Sequence, residues 1–172
     1  MRDPTAPLTE VSALFREQKL PRWQELPDLD LYMDQVLALV GRYLGSYPGF
    51  DEKGLTASMV NNYVKLGVMP PPVKKRYTRI HLAHLLVICI LKPSLPIASI
   101  QRLLAAELSD MPEADFYDRF CALFERSGCA AADALDDTGR GELSPACRAA
   151  LRAQAEQALA LRLCAALHPE NN

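Results

Sequence analysis

Basic and amide side chains that could form ion pairs and hydrogen bonds with a partner are gathered in one stretch of this chain. Residues 54–106 contain no Asp and no Glu, and Lys74, Lys75 and Arg76 follow one another within them. Together with Lys53, the stretch holds eight of the 19 basic residues, although the whole chain has a net charge of −2. The eight are Lys53, Lys65, Lys74, Lys75, Arg76, Arg79, Lys92 and Arg102. A local excess of Lys and Arg attracts polyanions whatever the net charge.

A polar helix face lies just before the basic run. Four residues three or four positions apart share this face: Ser58, Asn61, Asn62 and Lys65. Asn can bond bidentately with adenine, so a face without acidic residues suits a helix that enters the major groove of DNA. The alternative is that these residues are merely exposed, although two adjacent Asn residues weaken a helix.

Other chemistries find little support in the sequence. His81 and His84 have a helical spacing that could suit a metal, but no third ligand lies near them, so we expect no metal and no cofactor. There is no Gly-rich phosphate loop and no Ser/His/Asp pattern, and we therefore expect a protein that is not an enzyme. The five cysteines show no CxxC spacing, which predicts reduced thiols in a cytoplasmic protein.

The elements that must position these side chains are helical. Cap residues and apolar periodicity predict helices over residues 10–18, 29–44, 57–66, 80–92, 97–108, 112–127 and 145–167. Asp28, Thr56 and Ser144 are predicted N-caps, Gly128 a helix end, and residues 130–143 a loose linker. The longest apolar run, residues 85–91, is too short to span a bilayer, and no signal peptide precedes it, so no membrane is expected.

The ordered set of motifs resembles the MerR-like winged helix-turn-helix. The run Met59-Val60-Asn61-Asn62-Tyr63-Val64-Lys65-Leu66-Gly67-Val68 falls on that family's recognition helix, and Lys75-Arg76-Tyr77-Thr78 falls on the end of its wing. The apolar run of residues 82–92 and the motif of residues 97–104 fall on its two following helices. More closely, residues 55–104 are similar to the bacterial domain of unknown function DUF1836, itself regarded as MerR-like.

The resemblance implies a fold, a function and contact residues. The fold class is all-α with a short β-wing. The domains are an N-terminal extension (1–27), a winged helix-turn-helix core (28–108) and a C-terminal helical region (109–172). The function is a DNA-binding transcription regulator, with residues 56–66 in the major groove and the wing, residues 73–79, on the phosphate backbone. The implied contacts are Thr56, Ser58, Asn61, Asn62, Lys65, Lys74, Lys75, Arg76, Tyr77 and Arg79.

Several alternatives stay open at this point. Tyr77 could bond a phosphate or cap the following helix. The wing carries three prolines and no glycine, and only about ten residues separate its flanking helices, so any hairpin is short. The last helix could fold back on its own chain or pair with a second copy, and we favour a homodimer on double-stranded DNA. A small-molecule effector of unknown identity is an open alternative to simple core packing of the aromatic residues 116–124. The alternative function is a helical module that binds an acidic partner protein.

Overall fold

The structure, a computed structural model, describes residues 6–45, 47, 50, 54–136 and 143–167. Within these residues lie seven α-helices, one 3-10 helix and no strand. The helices are α1 (Ala6–Arg16), α2 (Met33–Leu44), α3 (Ala57–Lys65), α4 (Arg79–Leu91), α5 (Ile97–Asp110), α6 (Glu113–Asp136) and α7 (Pro145–Ala166), with the 3-10 helix at Trp23–Glu25. The prediction of a mainly helical protein is confirmed. None of the described helices combines the length and hydropathy needed to cross a membrane.

Helix α4 is the centre of the fold. It is apolar on all sides, and every residue from His81 to Ile90 is buried. A helix that is hydrophobic all round has to be covered on every face. Helices α2 and α6 pack against it, and α3 packs against α2. The predicted helix of residues 80–92 is therefore confirmed.

Helix α2 begins later than the sequence predicts. Its N-cap is Tyr32 rather than Asp28, and the Tyr32 backbone N–H donates to the Gln35 side chain at 2.8 Å. The preceding segment is held extended because Leu31 and Tyr77 exchange two backbone hydrogen bonds of 2.8 and 2.9 Å. That pairing joins residues far apart in the chain, so local capping signals could not predict it.

Helix α3 follows its local signals closely. The Thr56 hydroxyl accepts a hydrogen bond from the Met59 backbone N–H at 3.3 Å, as an N-cap does. Gly67 ends the helix with a φ of +68°, which favours glycine. Most of the loop predicted between α2 and α3, including the basic residue Lys53, lies outside the described residues.

Helix α6 contradicts the predicted helix end at Gly128 and the predicted linker after it. The helix continues through Gly128 to Asp136. A Cβ atom on Gly128 would lie 2.6 Å from the backbone oxygen of Phe15, so the glycine allows α1 to pack closely on α6. Three consecutive alanines at positions 130–132 favour continuation of the helix. The residues of the predicted linker from 137 to 142 lie outside the described part of the chain.

The C-terminal helix α7 begins as predicted, since the Ser144 hydroxyl accepts from the Cys147 backbone N–H at 3.3 Å and Pro145 is the first helical residue. It packs against α5. The predicted leucine stripe does not take part in that packing, because Leu151, Leu159 and Leu163 are 58 to 60% exposed. One side of α7 is therefore an apolar surface that the described residues leave uncovered.

Candidate nucleic-acid interface

The polar face of α3 is exposed along its length. Ser58, Asn61, Asn62 and Lys65 all lie in solvent, while Val60 and Tyr63 on the opposite face are buried. Thr56 is also exposed, but its hydroxyl is engaged as the N-cap. The sequence periodicity therefore assigns the two faces correctly. Four hydrogen-bonding side chains are available on one side of a well-capped helix.

The segment between α3 and α4 forms a tight turn, which we call the lysine turn (residues 73–76). The Arg76 backbone N–H donates to the Val73 carbonyl at 2.9 Å, and these two residues form an isolated antiparallel bridge. Lys74 and Lys75 have φ values of +50° and +61°. Positive φ at both central residues is the pattern of a type I′ turn, which normally contains Asn and Gly.

Lysine at the two central positions of the lysine turn costs conformational free energy. A residue with a Cβ atom in the left-handed conformation costs roughly 1–2 kcal/mol, and two adjacent residues carry that cost here. Lys74 and Lys75 are exposed, so no packing of their side chains explains why lysine occupies these positions. Backbone strain of this kind is common at functional sites. The tip of the turn presents two adjacent ammonium groups to solvent.

Contacts on both sides hold the lysine turn against the body of the protein. The guanidinium of Arg76 stacks over the ring of Tyr32, 3.6 Å from its centre. The adjacent residue Tyr77 pairs with Leu31 through the two backbone hydrogen bonds already described. The role of Tyr32 has no sign in the sequence, because its partner Arg76 lies 44 residues further along the chain. The turn is thus fixed to the N-terminus of α2.

The His81 side chain supports the other side of the turn, whereas His84 has a different partner. His81 Nδ1 accepts from the Thr78 backbone N–H at 2.9 Å, which leaves Nε2 as the protonated nitrogen that donates to the Pro71 carbonyl at 3.3 Å. His84 lies 3.5 Å from Glu113, and its burial lowers the pKa of the imidazole. The two histidines therefore serve different partners and do not converge on one point.

Two of the sequence-predicted contacts are occupied inside the protein. Tyr77 is only 4% exposed, and burial raises the pKa of its hydroxyl. Arg79 donates through Nε to the Leu26 carbonyl at 3.1 Å and lies 3.6 Å from the Asp28 carboxylate. The Arg79 side chain holds the start of α4 to the segment before α2, and the Tyr77 backbone pairs with the same segment at Leu31. Exposed contacts remain at the α3 face and at Lys74 and Lys75.

Comparison with known proteins places the chain in a family. No curated protein and no solved structure matches it. The model of the family described as domain of unknown function (DUF1836) matches residues 21–122, which run from just before the 3-10 helix into α6. The match includes α3, the lysine turn and α4. Because it spans more than half of the sequence, the chain belongs to the DUF1836 family.

Proposed function

We propose that this protein is a sequence-specific DNA-binding regulator of MerR-like winged helix-turn-helix type. Helix α3 would lie in a major groove, and the lysine turn would act as a short wing on the flanking phosphate backbone. The polar face of α3 would read base edges through Asn61 and Asn62, because Asn can pair with adenine at two atoms. Lys65 and the turn lysines would neutralise phosphates.

The observation that supports this proposal most strongly is the pair of lysines at positive φ. Asn-Gly would form the same turn at lower cost, so the lysines are unfavourable for folding alone. The charges of Lys74 and Lys75 lie in a stretch without acidic residues. They follow helix α3, whose polar face carries three uncharged side chains and the cation of Lys65. Phosphate binding accounts for all three features, since DNA contacts combine cations that fix the position with amides that read bases.

We further propose that the protein binds DNA as a homodimer. Three of the four exposed leucines of α7, namely Leu151, Leu159 and Leu163, lie on one side of the helix. With Leu161 they are the largest group of exposed large apolar side chains on any described helix. A second copy packed on this surface would place two α3 helices symmetrically, which predicts a pseudo-palindromic site. Whether the dimer activates or represses transcription depends on its operator.

Salt-dependent binding tests the proposed contact directly. We would measure the affinity for a mixed-sequence duplex between low and moderate salt. The slope of log K against log salt should decrease by about 2 when Lys74→Asn and Lys75→Gly are introduced together. The double variant Arg119→Gln and Arg126→Gln removes the same charge from exposed positions of α6 and should leave the slope nearly unchanged. Equal losses in both variants would show general charge attraction and contradict the assigned contact.

A second function is favoured because two basic side chains of the acid-free stretch make contacts within the protein. Arg76 stacks on Tyr32 and Arg79 pairs with Asp28, so the cationic surface is smaller than the sequence suggests. A smaller cationic surface would suit a helical module that binds an acidic protein. A folded protein with no affinity for duplex DNA even at low salt would favour this alternative.

A further inference from the structure

A small apolar cleft of about 220 Å³ lies directly behind helix α3. It opens between the buried side of α3 and the C-terminal end of α4. Eight residues form its walls: Phe50, Gly54, Leu55, Met59, Tyr63, Cys89, Lys92 and Pro93. Most are apolar, so the cleft favours a hydrophobic molecule over water.

Two side chains in the walls, those of Tyr63 and Lys92, contact each other. Tyr63 is only 3% exposed, and its hydroxyl is buried without a hydrogen bond to any described residue. Lys92 is exposed at the rim and makes no ion pair within the described residues; its ammonium lies 5.6 Å from the centre of the Tyr63 ring. One aromatic ring and one cation therefore lie beside the same apolar space.

The cation at the rim favours an anionic molecule. Lys92 is the only charged side chain among the described residues that line the cleft, and none of those residues is acidic. Burial raises the pKa of the Cys89 thiol to about 12, so this wall is neutral and does not repel an anion. The volume lies below the range of about 300–1,000 Å³ that is usual for drug-sized ligands, which indicates a molecule with a single ring or a short branched chain.

We propose that this cleft binds a small carboxylate with an aromatic or branched aliphatic body. The body would fill the space between Met59 and Cys89, and the carboxylate would meet the Lys92 ammonium at the rim. Such a molecule would touch the buried side of α3 while the opposite side of the same helix faces solvent. Ligand binding would then shift the position or rigidity of α3. Only this regulatory consequence rests on the proposed function; the binding site itself does not require DNA.

Phenylacetate is a suitable probe because it combines one aromatic ring with a carboxylate. We would follow the methyl signals of the five methionines in the full chain by NMR during titration, without DNA. Met59 lines the cleft, whereas Met33 and Met111 do not. Phenylacetate should shift the Met59 signal saturably, with a dissociation constant of about 0.1–5 mM, and leave Met33 and Met111 nearly unchanged. The variant Met59→Leu assigns the signal.

Charge controls separate a carboxylate site from a merely apolar cleft. Lys92→Gln should weaken phenylacetate binding about three- to tenfold, while Lys19→Gln, at an exposed lysine outside the cleft, should leave it unchanged. 2-Phenylethanol and phenylethylamine, which keep the ring without the negative charge, should bind more weakly. Absence of a Met59 shift, or an equal shift at all methionines, would overturn the site. Equal binding of 2-phenylethanol, with no effect of Lys92→Gln, would overturn the carboxylate assignment. Each result is independent of DNA binding.

Discussion

Replacing Lys74 and Lys75 with Asn and Gly should stabilise the protein. Both lysines have positive φ, and each carries a cost of roughly 1–2 kcal/mol that Gly avoids and Asn partly avoids. The introduced glycine gives back about 0.5–1 kcal/mol because it is more flexible in the unfolded chain. The expected net gain in the free energy of unfolding is therefore about 1–2 kcal/mol.

Urea unfolding followed by circular dichroism measures this gain. The matched control is the double variant Lys74→Ala and Lys75→Ala, which removes the same charges but keeps a Cβ atom at both positions. Its free energy of unfolding should stay within about 0.5 kcal/mol of the wild type. The two variants therefore separate backbone strain from charge repulsion between the lysines.

Either of two results would contradict backbone strain in a type I′ turn. Equal stabilisation of both variants would show that charge repulsion, and not backbone strain, destabilises the turn. A loss of stability in the Asn-Gly variant would show that the turn does not have the type I′ conformation. If the protein binds DNA as proposed, both variants should bind duplex DNA more weakly than the wild type. Only the Asn-Gly variant should combine this loss of affinity with a gain in stability.

Three further perturbations have defined outcomes. Gly128→Ala should lower the free energy of unfolding by about 1–3 kcal/mol, because the added Cβ has no room against α1. Gly41→Ala, whose added Cβ would have nothing within 4 Å, should leave the free energy of unfolding unchanged or raise it by up to about 1 kcal/mol. Equal effects of the two variants in urea unfolding would contradict close packing at Gly128. Burial lowers the pKa of His84 in the folded state, so the unfolded state binds more protons. The contribution of neutral His84 to stability should be fully present above about pH 6.5 and should decline as the pH falls below that value. His84→Met should flatten this decline in urea midpoints measured from about pH 7.5 to 5. Asn61→Ala or Asn62→Ala should relax sequence preference by about 1–3 kcal/mol at one base pair with little change in the salt slope, and an unchanged preference in competition binding for both would remove α3 as the reading helix.

Local signals were sufficient to predict the elements that carry the candidate interface. Thr56 and Gly67 delimit α3, and the continuous apolar run predicts a buried α4. Hydrophobic periodicity also assigned the exposed and buried sides of α3, because side chains three and four residues apart share a helix face. These features depend on neighbours within one or two turns, so the sequence reveals them without knowledge of the fold.

Long-range contacts explain what the sequence did not reveal. The start of α2 is displaced by the pairing of Leu31 with Tyr77, and α6 continues through Gly128 because α1 packs there. The sequence predicts that the Arg79 side chain is available for DNA, but the fold places its guanidinium beside the Asp28 carboxylate. The left-handed lysines were equally hidden, since a short loop without glycine gives no local sign of a type I′ turn.

The measurement that tests the central claim most directly is selection of bound duplexes from a random DNA pool. Wild-type protein and a variant with Lys74, Lys75 and Arg76 replaced by Ala would be compared side by side, each shown to be folded. We predict a palindromic motif for the wild type, as expected for a dimeric reader, and loss of that motif in the variant. No enrichment by the folded wild type, at low and moderate salt alike, would contradict it.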